Sequence, residues 1–282
     1  MLTRILKQII LVSIGIILIT QCKNDRDIIQ SFDRFPTAIG NQWIYEYNFL
    51  FTPFDTLGLP QEDEIIRYNC DIMVQIDDDD YLINDSVETI RFVSTIIDTS
   101  EWKSYHYYTN EADGLFHHVY SNAAHNVFPK KKAHRTVSLS FLDQLIEFPN
   151  LTLNYPYSWI NYYSDSLYMN NPPRVSLKYP MKVNSDWIYF ENQHYKIQKS
   201  ITGIKDINTD VGKFECYEIK YKYIKSPLDT ITFEISEYYA KEGLIKRVTF
   251  FDEITLVHAT GESISTGESI SEYIIKDYSL VQ

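Results

Sequence analysis

Strict two-residue alternation of apolar and polar side chains runs through most of the chain. From Trp43 to Phe51 the odd positions are Trp43, Tyr45, Tyr47, Phe49 and Phe51, while Gln42, Glu46 and Asn48 stand among the even ones. A period of two sends alternate side chains to opposite faces, so this stretch is predicted to be a strand with one aromatic face. From Ile66 to Ile76 the even positions are apolar or aromatic and Arg67, Asn69, Asp71 and Gln75 lie between them, which predicts a second strand. Asp77 to Asp80 reads as a turn, with a new strand opening at Tyr81. Ser104 to Tyr120 reads as a hairpin around Asn110–Gly114, because Asp113-Gly114 suits a position of positive φ. Alternation returns at Tyr217–Tyr223, Ile231–Ile235 and Leu244–Phe250, and a last strand is expected after Ser269. Together these predict an antiparallel meander with one wet face and one buried face.

Helical spacing is confined to Ser138–Phe148, where Leu139, Leu142 and Ile146 share a face and Ser140 with Asp143 resembles a capping box. Residues 149–180 hold five prolines and are expected to form an irregular crossing between two halves. An echo links those halves. Pro36, Trp43, Ile44 and Tyr45 recur as Pro180, Trp187, Ile188 and Tyr189, at an offset of 144. The pattern in each case is a proline-led turn and a strand opened by tryptophan. Either the pair forms a binding site, or each indole plugs one end of a β layer and hydrogen-bonds nearby. The shorter repeat of Gly261-Glu262-Ser263 at Gly267-Glu268-Ser269 reads as a local hairpin. The fold expected is all-β, with antiparallel sheets in two related halves, half-barrel or sandwich-like, and at most one or two short helices. The segments expected are a tether over 22–35, an N-terminal β region over 36–175 and a C-terminal antiparallel β domain over 176–282.

Composition agrees with strands. Aromatic residues make up 15% of the chain, with 23 tyrosines, a usage suited to pleated, half-buried surfaces. Nine glycines in 282 residues argue against glycine-rich phosphate loops. The formal net charge of −12 would repel a phosphate backbone, so nucleic acid is not an expected partner.

The N-terminus has its own pattern. Arg4 and Lys7 precede an unbroken apolar or small run from Ile9 to Ile19. Eleven residues are too few to span a bilayer, which needs about 20, and the arrangement over residues 1–21 fits an export signal. Ile19-Thr20-Gln21-Cys22 then resembles the lipobox of bacterial lipoproteins, with Gln21 where a small residue is usual. That resemblance implies cleavage before Cys22, diacylation of its sulfur and anchoring in the outer membrane, at the periplasmic face or the cell surface. Lys23-Asn24-Asp25-Arg26-Asp27 supplies a charged start that loosely resembles the surface-export signals of Bacteroidota lipoproteins. With Cys22 acylated, Cys70 and Cys216 remain. Export permits a bridge between them, and two buried thiols are the other reading.

Further motifs carry a second resemblance. The Pro…Trp-Ile-Tyr opening, the stretch Thr209–Ile219 with Gly212 and Cys216, and Glu237–Lys246 with Tyr238, Tyr239 and Gly243 are similar to a group of uncharacterised Bacteroidota lipoproteins. The likeness covers residues 176–255 and, more loosely, the first half. It implies a curved antiparallel sheet, distantly like the half-barrels of lipoprotein carriers, with a concave apolar face suited to an acyl chain or a partner's peptide.

Candidate chemistry is sparse. Five of the seven histidines, His106, His117, His118, His125 and His134, lie between 106 and 134. His106 and His118 could face each other across the hairpin and hold a metal, the basis for an alternative reading as a metal-dependent hydrolase built on residues 106–134. Histidines on a polar strand face are the other explanation. Asp77–Asp80 offers oxygen ligands but lacks the glycine and distal glutamate of a calcium loop. Lys130–Arg135 is the one basic cluster, suited to lipid headgroups, polyanionic glycan or plain solvation. No nucleophile elbow, phosphate loop or dinucleotide fingerprint is present, and no cofactor is implied. Exposed aromatic residues could stack on sugars, and Trp43, Trp187, Tyr189, Tyr238 and Tyr239 are the candidate binding residues. The function expected is non-enzymatic: an envelope protein held to the membrane by its N-terminal lipid and binding a partner protein, a lipid or a glycan.

Overall fold

The structure is a computed structural model. It describes Phe32 and residues 34–83, 86–97, 103–121, 136–137, 167–191, 195–225, 233–257 and 263–281. The chain divides into two units, Met1–Phe32 and Asp33–Gln282, and every strand described belongs to the second. The export signal, Cys22, the helix expected over 138–148 and the basic cluster at 130–135 lie outside the described residues.

Among the described residues, thirteen strands form one antiparallel sheet. In chain order they are β1 (Gln42–Pro53), β2 (Ile66–Ile83), β3 (Val87–Ile96), β4 (Lys103–Asn110), β5 (Gly114–Ser121), β6 (Thr136–Val137), β7 (Leu167–Lys178), β8 (Asp186–Glu191), β9 (Tyr195–Thr209), β10 (Gly212–Lys225), β11 (Phe233–Ala240), β12 (Gly243–Val257) and β13 (Ser263–Ser279). A single 3-10 turn, Glu62–Glu64, is the only helical element among the described residues.

The sheet path runs β7-β5-β4-β3-β2-β1-β13-β12-β11-β10-β9-β8, with β6 paired to β12 off the path. This order is two six-strand meanders joined head to tail. The first is β1-β2-β3-β4-β5-β7 and the second is β8 through β13. The first strand of the first meander pairs along its length with the last strand of the second, from Gln42 opposite Ser279 to Pro53 opposite Gly267. The reciprocal edges, β7 and β8, are joined by residues 179–185 and sealed by side chains: the Trp187 indole donates to Val175 O at 2.8 Å, and Lys178 Nζ to Asp186 O at 3.3 Å.

Local geometry repeats with the topology. Gly40 and Asn184, 144 residues apart, both adopt positive φ, at 89° and 67°. Gly40 N donates to Ile76 O at 2.9 Å, and its echo is Asn184 N to Ile201 O at 2.8 Å; Ile76 N to Asn41 O at 3.0 Å is matched by Ile201 N to Ser185 O at 2.9 Å. The equivalent positions Phe35 and Tyr179 touch, with Phe35 N donating to Tyr179 Oη at 2.9 Å. A bulge opposite Tyr107/Tyr108 in the first meander recurs opposite Tyr238/Tyr239 in the second. The two halves legible in the Trp-Ile-Tyr echo are thus halves of one sheet.

The sheet is strongly curled. Phe35 packs against Trp43 of β1 at 5.6 Å, Phe92 of β3 at 6.0 Å and Tyr239 of β11 at 6.4 Å between ring centroids. Strands five steps apart in a flat sheet would lie about 24 Å from each other, so one ring reaches β3 and β11 only because the sheet rolls around it. The inner face carries Trp43, Tyr45, Phe51, Phe92, Tyr108, Tyr239 and Phe251, all fully buried. From Gln42 to Phe51 of β1 the odd positions are buried and the even ones half-buried, as the alternation predicts. Burying aromatic side chains of this size contributes roughly 1.5–3 kcal/mol each.

Three local expectations change. Asp77–Asp80 is part of β2, not a turn. Bulges at Ile76/Asp78 and Asp78/Tyr81 absorb the extra residues, and Arg91 on β3 holds Asp77 at 2.8 Å and Asp78 at 3.4 Å. The irregular crossing expected over 149–180 contains a strand from Leu167, despite Pro172 and Pro173, and the domain boundary expected at 175/176 falls inside it. The repeats at Gly261 and Gly267 do not fold onto each other: Ser263–Ser269 run along β13, Gly267 stands opposite Ile254 in the β12–β13 pair, and a Cβ on it would collide with Thr52 O of β1, while Gly261 and Glu262 lie outside the described residues. Cys70 on β2 is half-buried, Cys216 on β10 is buried, and no disulfide joins them.

Candidate functional site

Two polar clusters sit on the inner face at equivalent places in the two meanders. In the second, Glu237 of β11 is flanked by Ile235 and Tyr239, so alternation turns its carboxylate inward. Arg247 of β12 lies directly across the ladder from it. Arg247 Nε donates to Glu237 Oε1 at 2.9 Å, and Arg247 Nη2 approaches the same oxygen. Tyr221 Oη donates to that oxygen at 3.0 Å, and Lys199 Nζ lies 3.4 Å from Glu237 Oε2. Lys199 also donates to Ser176 O of β7 at 3.0 Å, across the side-chain-sealed edge. Its ammonium sits over the rings of Tyr189 and Tyr221, 4.6 and 4.5 Å from their centroids. All three charged side chains are fully buried. Burial works against the Arg247 charge, but the Glu237 carboxylate and the surrounding phenols outweigh it and hold its pKa above the ordinary arginine value. Burial, then the Glu237 charge, push the Tyr221 phenol well above the usual tyrosine range.

In the first meander the equivalent place holds histidines. His106 Nδ1 lies 2.9 Å from His117 Nε2, Ser104 Oγ lies 3.2 Å from His106 Nε2, and Asn170 Nδ2 lies 3.0 Å from His117 Nδ1. The same amide nitrogen donates to His117 O at 3.3 Å. A neutral imidazole has one donor and one acceptor nitrogen. The Asn170 donor therefore makes His117 Nδ1 the acceptor and puts the His117 proton on Nε2, which donates to His106 Nδ1. His106 in turn donates from Nε2 to Ser104. Tyr108 and Tyr120 stack on this pair at 4.7 and 5.9 Å from the nearer ring. Burial first, then the neighbouring His117, depress the His106 pKa well below the ordinary histidine value.

The histidine pair is not the one expected from the hairpin. His106 meets His117, while His118 bonds Thr109 Oγ1 at 3.0 Å. The ladder pairs Tyr107 with Val119 but Tyr108 with His117, so His118 is the extra residue of a bulge and the next inward position passes to His117. Among the described residues no group of three His, Cys, Asp or Glu side chains could hold a metal ion. His125 and His134 lie outside the described residues.

The aromatic binding candidates are also placed. Trp43, Trp187, Tyr189 and Tyr239 are buried. Each indole donates to a backbone carbonyl, Trp43 to Glu242 O at the turn before β12 and Trp187 to Val175 O at 2.8 Å. Tyr238 alone is half-buried, bonded to Glu218 Oε1 at 3.2 Å. These rings pack the body and do not present a common stacking face. The concave face implied by the half-barrel resemblance is likewise occupied by side chains at the described positions.

The outer face offers a different feature, one that alternation within single strands does not reveal. Where β2, β1, β13 and β12 lie side by side, Asn69, Asn48, Glu272 and Val248 form one row across the strands; Arg67, Leu50, Ile270 and Phe250 form the next. These rows border a half-open groove of about 450 Å³. Ile270 is 42% exposed, and Lys246 pairs with Glu272 at the rim. Solvent-facing positions of an antiparallel sheet are normally polar, so apolar neighbours drawn from three strands stand out. The signal was available as apolar residues at even positions of β1 and β13, but only the pairing of the first strand with the last brings them together.

A curled, internally repeated antiparallel sheet, with buried aromatic side chains on its inner face and a groove on its outer one, defines the class of protein. Residues 138–257, less than half of the chain, match the family described as DUF3108-like. This overlaps the stretch that resembled uncharacterised lipoproteins and agrees with that resemblance. Two solved structures are also similar: a candidate lipoprotein from Parabacteroides distasonis, at 14% identity over 88% of this chain and 98% of that one with a TM-score of 0.34, and a candidate exported protein with a YmcC-like fold from Bacteroides fragilis, at 14% identity over 87% and 98% with a TM-score of 0.30. No curated protein matches the chain.

Proposed function

We propose that this chain is a lipid-anchored, non-enzymatic protein of the outer membrane that binds a partner protein through the groove on the outer face of β2, β1, β13 and β12. The groove is the observation that carries the reading: an apolar centre of Leu50, Val248 and Ile270, rimmed by Arg67, Asn48, Asn69 and the Lys246–Glu272 pair. An apolar centre within a polar rim is the anatomy of a protein interface. A lipid in the concave face would have to displace buried aromatic side chains, and glycan stacking would need exposed rings where Trp43, Trp187, Tyr189 and Tyr239 are buried. The anchor rests on the export pattern and on Cys22.

The test is site-specific photocrosslinking in intact cells, with the reactive residue placed at Ile270 or, for comparison, at the similarly exposed Ile188. A discrete protein adduct at position 270 and none at 188 is expected. No adduct at 270, or the same adducts from both positions, would sink the groove as the binding surface.

A further inference from the structure

The loop between β1 and the 3-10 turn does something that neither the inner clusters nor the groove requires. Leu57 and Leu59 are 81% and 59% exposed, the two highest values among the large apolar side chains described. They stand two residues apart at one tip. Single exposed leucines are ordinary, but these are displayed by a loop built to hold them out. Asp55 Oδ1 accepts from both Leu57 N and Leu59 N at 2.8 Å. Gly58 N donates to Asp55 O at 3.0 Å, Asp55 N donates to Leu59 O at 2.8 Å, and Gln61 N closes the base on Pro53 O at 2.7 Å. Gly58 takes a φ of 79° at the apex, where a side chain would be strained.

This wiring has two consequences. The amides of Leu57, Gly58 and Leu59 already have partners within the loop, and so does the carboxylate of Asp55. A tip whose amides are already bonded leaves water at lower cost than one whose amides are open. The tip from Thr56 to Pro60 also carries no charged side chain. Leucines facing outward on an uncharged tip, with the half-buried Asp55 carboxylate behind it engaged by two amides, suit an apolar medium.

We propose that the Asp55–Pro60 loop dips Leu57 and Leu59 into the surface of the membrane to which the chain is anchored. The inference rests on the reading of Cys22 as the lipid anchor. The chain from Cys22 to Arg34 can reach about 40 Å when extended, and β1 spans about 40 Å from the entry of the body to the loop. The tip therefore falls within reach of the anchored surface, more easily when the body tilts. Glu62, Asp63 and Glu64, all exposed behind the tip, favour zwitterionic over anionic headgroups.

The experiment places a fluorescent reporter at the tip. Full-length Leu57→Trp and Leu82→Trp proteins are reconstituted on phosphatidylcholine–phosphatidylethanolamine vesicles, with and without brominated acyl chains, and read as differences from the parent protein. Leu82, 53% exposed, lies near the opposite end of β2 and is the comparison. The added emission at position 57 should shift to the blue and be largely lost to the brominated lipid, while that at position 82 stays quenched as weakly as in buffer. Equal quenching at both positions, or none at 57 in protein that floats with the vesicles, overturns the proposal. Protein that fails to float indicts the anchor instead. In that case the same variant, with a hexahistidine segment in place of residues 1–22 and held on nickel-chelating zwitterionic vesicles, decides the loop by the same readout.

Discussion

Replacing Glu237 by glutamine should unfold the body at markedly lower temperature, because it strips the counter-charge from two buried cations. Lys199 and Arg247 both bond this carboxylate, and all three side chains are fully buried. Glutamine keeps the shape and one carbonyl oxygen but removes the negative charge. Breaking a buried ion pair by removing one partner costs about 3–5 kcal/mol, since the remaining charge stays desolvated. For a body of this size each kcal/mol moves Tm by about 2–4 °C, so Glu237→Gln should melt about 10 °C below the parent. The converse also holds. Converting the whole cluster to apolar residues of similar volume, Lys199→Met with Glu237→Leu and Arg247→Met, removes the stranded charges and should restore stability to within about 1 kcal/mol of the parent or above it. Thermal melts followed by circular dichroism, with urea titrations alongside, measure both. A single variant that melts with the parent, or a triple variant less stable than the single, would refute the account of the cluster as a charge-balanced core.

Three further outcomes are expected from the geometry. His106 is held neutral in the fold, so the unfolded chain takes up a proton that the folded chain refuses; stability should fall as pH drops below about 6.5, with a limiting slope of about 1.4 kcal/mol per pH unit, and urea titrations between pH 7 and 5.5 should show this slope reduced in His106→Gln. An unchanged slope in that variant would contradict the buried neutral relay. Gly267→Ala pushes a methyl group into Thr52 O and the Pro53 backbone and should cost about 1–3 kcal/mol, whereas Gly203→Ala, with nothing within 4 Å, should leave the urea midpoint nearly unmoved. Trp187→Phe removes the donor that ties β8 to Val175 O, and hydrogen exchange should speed up along β7 and β8 while β1 and β13, joined by a full ladder, stay protected; equal acceleration at both edges would argue against a side-chain seal.

The strands were legible because alternation reports directly which faces are buried. The odd residues from Trp43 to Phe51 point inward as a period of two requires. What alternation cannot report is partnership. Nothing local to β1 says that it pairs with β13, more than 200 residues away, and the groove exists only through that pairing. Bulges defeated the finer readings. Two keep the acidic run at Asp77–Asp80 within a strand, and another put His117 where His118 was expected. The buried ion cluster did leave a trace in the sequence. Lys199 sits between Ile197 and Ile201, and Glu237 between Ile235 and Tyr239, each a charge at a position whose neighbours of the same parity are apolar. A charge there must find a partner inside, but the partner's identity depends on strands 10 and 38 residues distant. The Trp-Ile-Tyr echo was the most informative long-range mark. It located the equivalent turns at Gly40 and Asn184 and hence the two meanders.

Attachment to a membrane through one sulfur is the claim on which the groove's setting and the loop's role both depend. Intact mass measurement of the protein purified from its native cells tests it most directly. The predicted species begins at Cys22 and carries two or three acyl chains, and Cys22→Ala removes that added mass together with membrane retention. A native protein that retains Met1 and carries no acyl group would contradict the account.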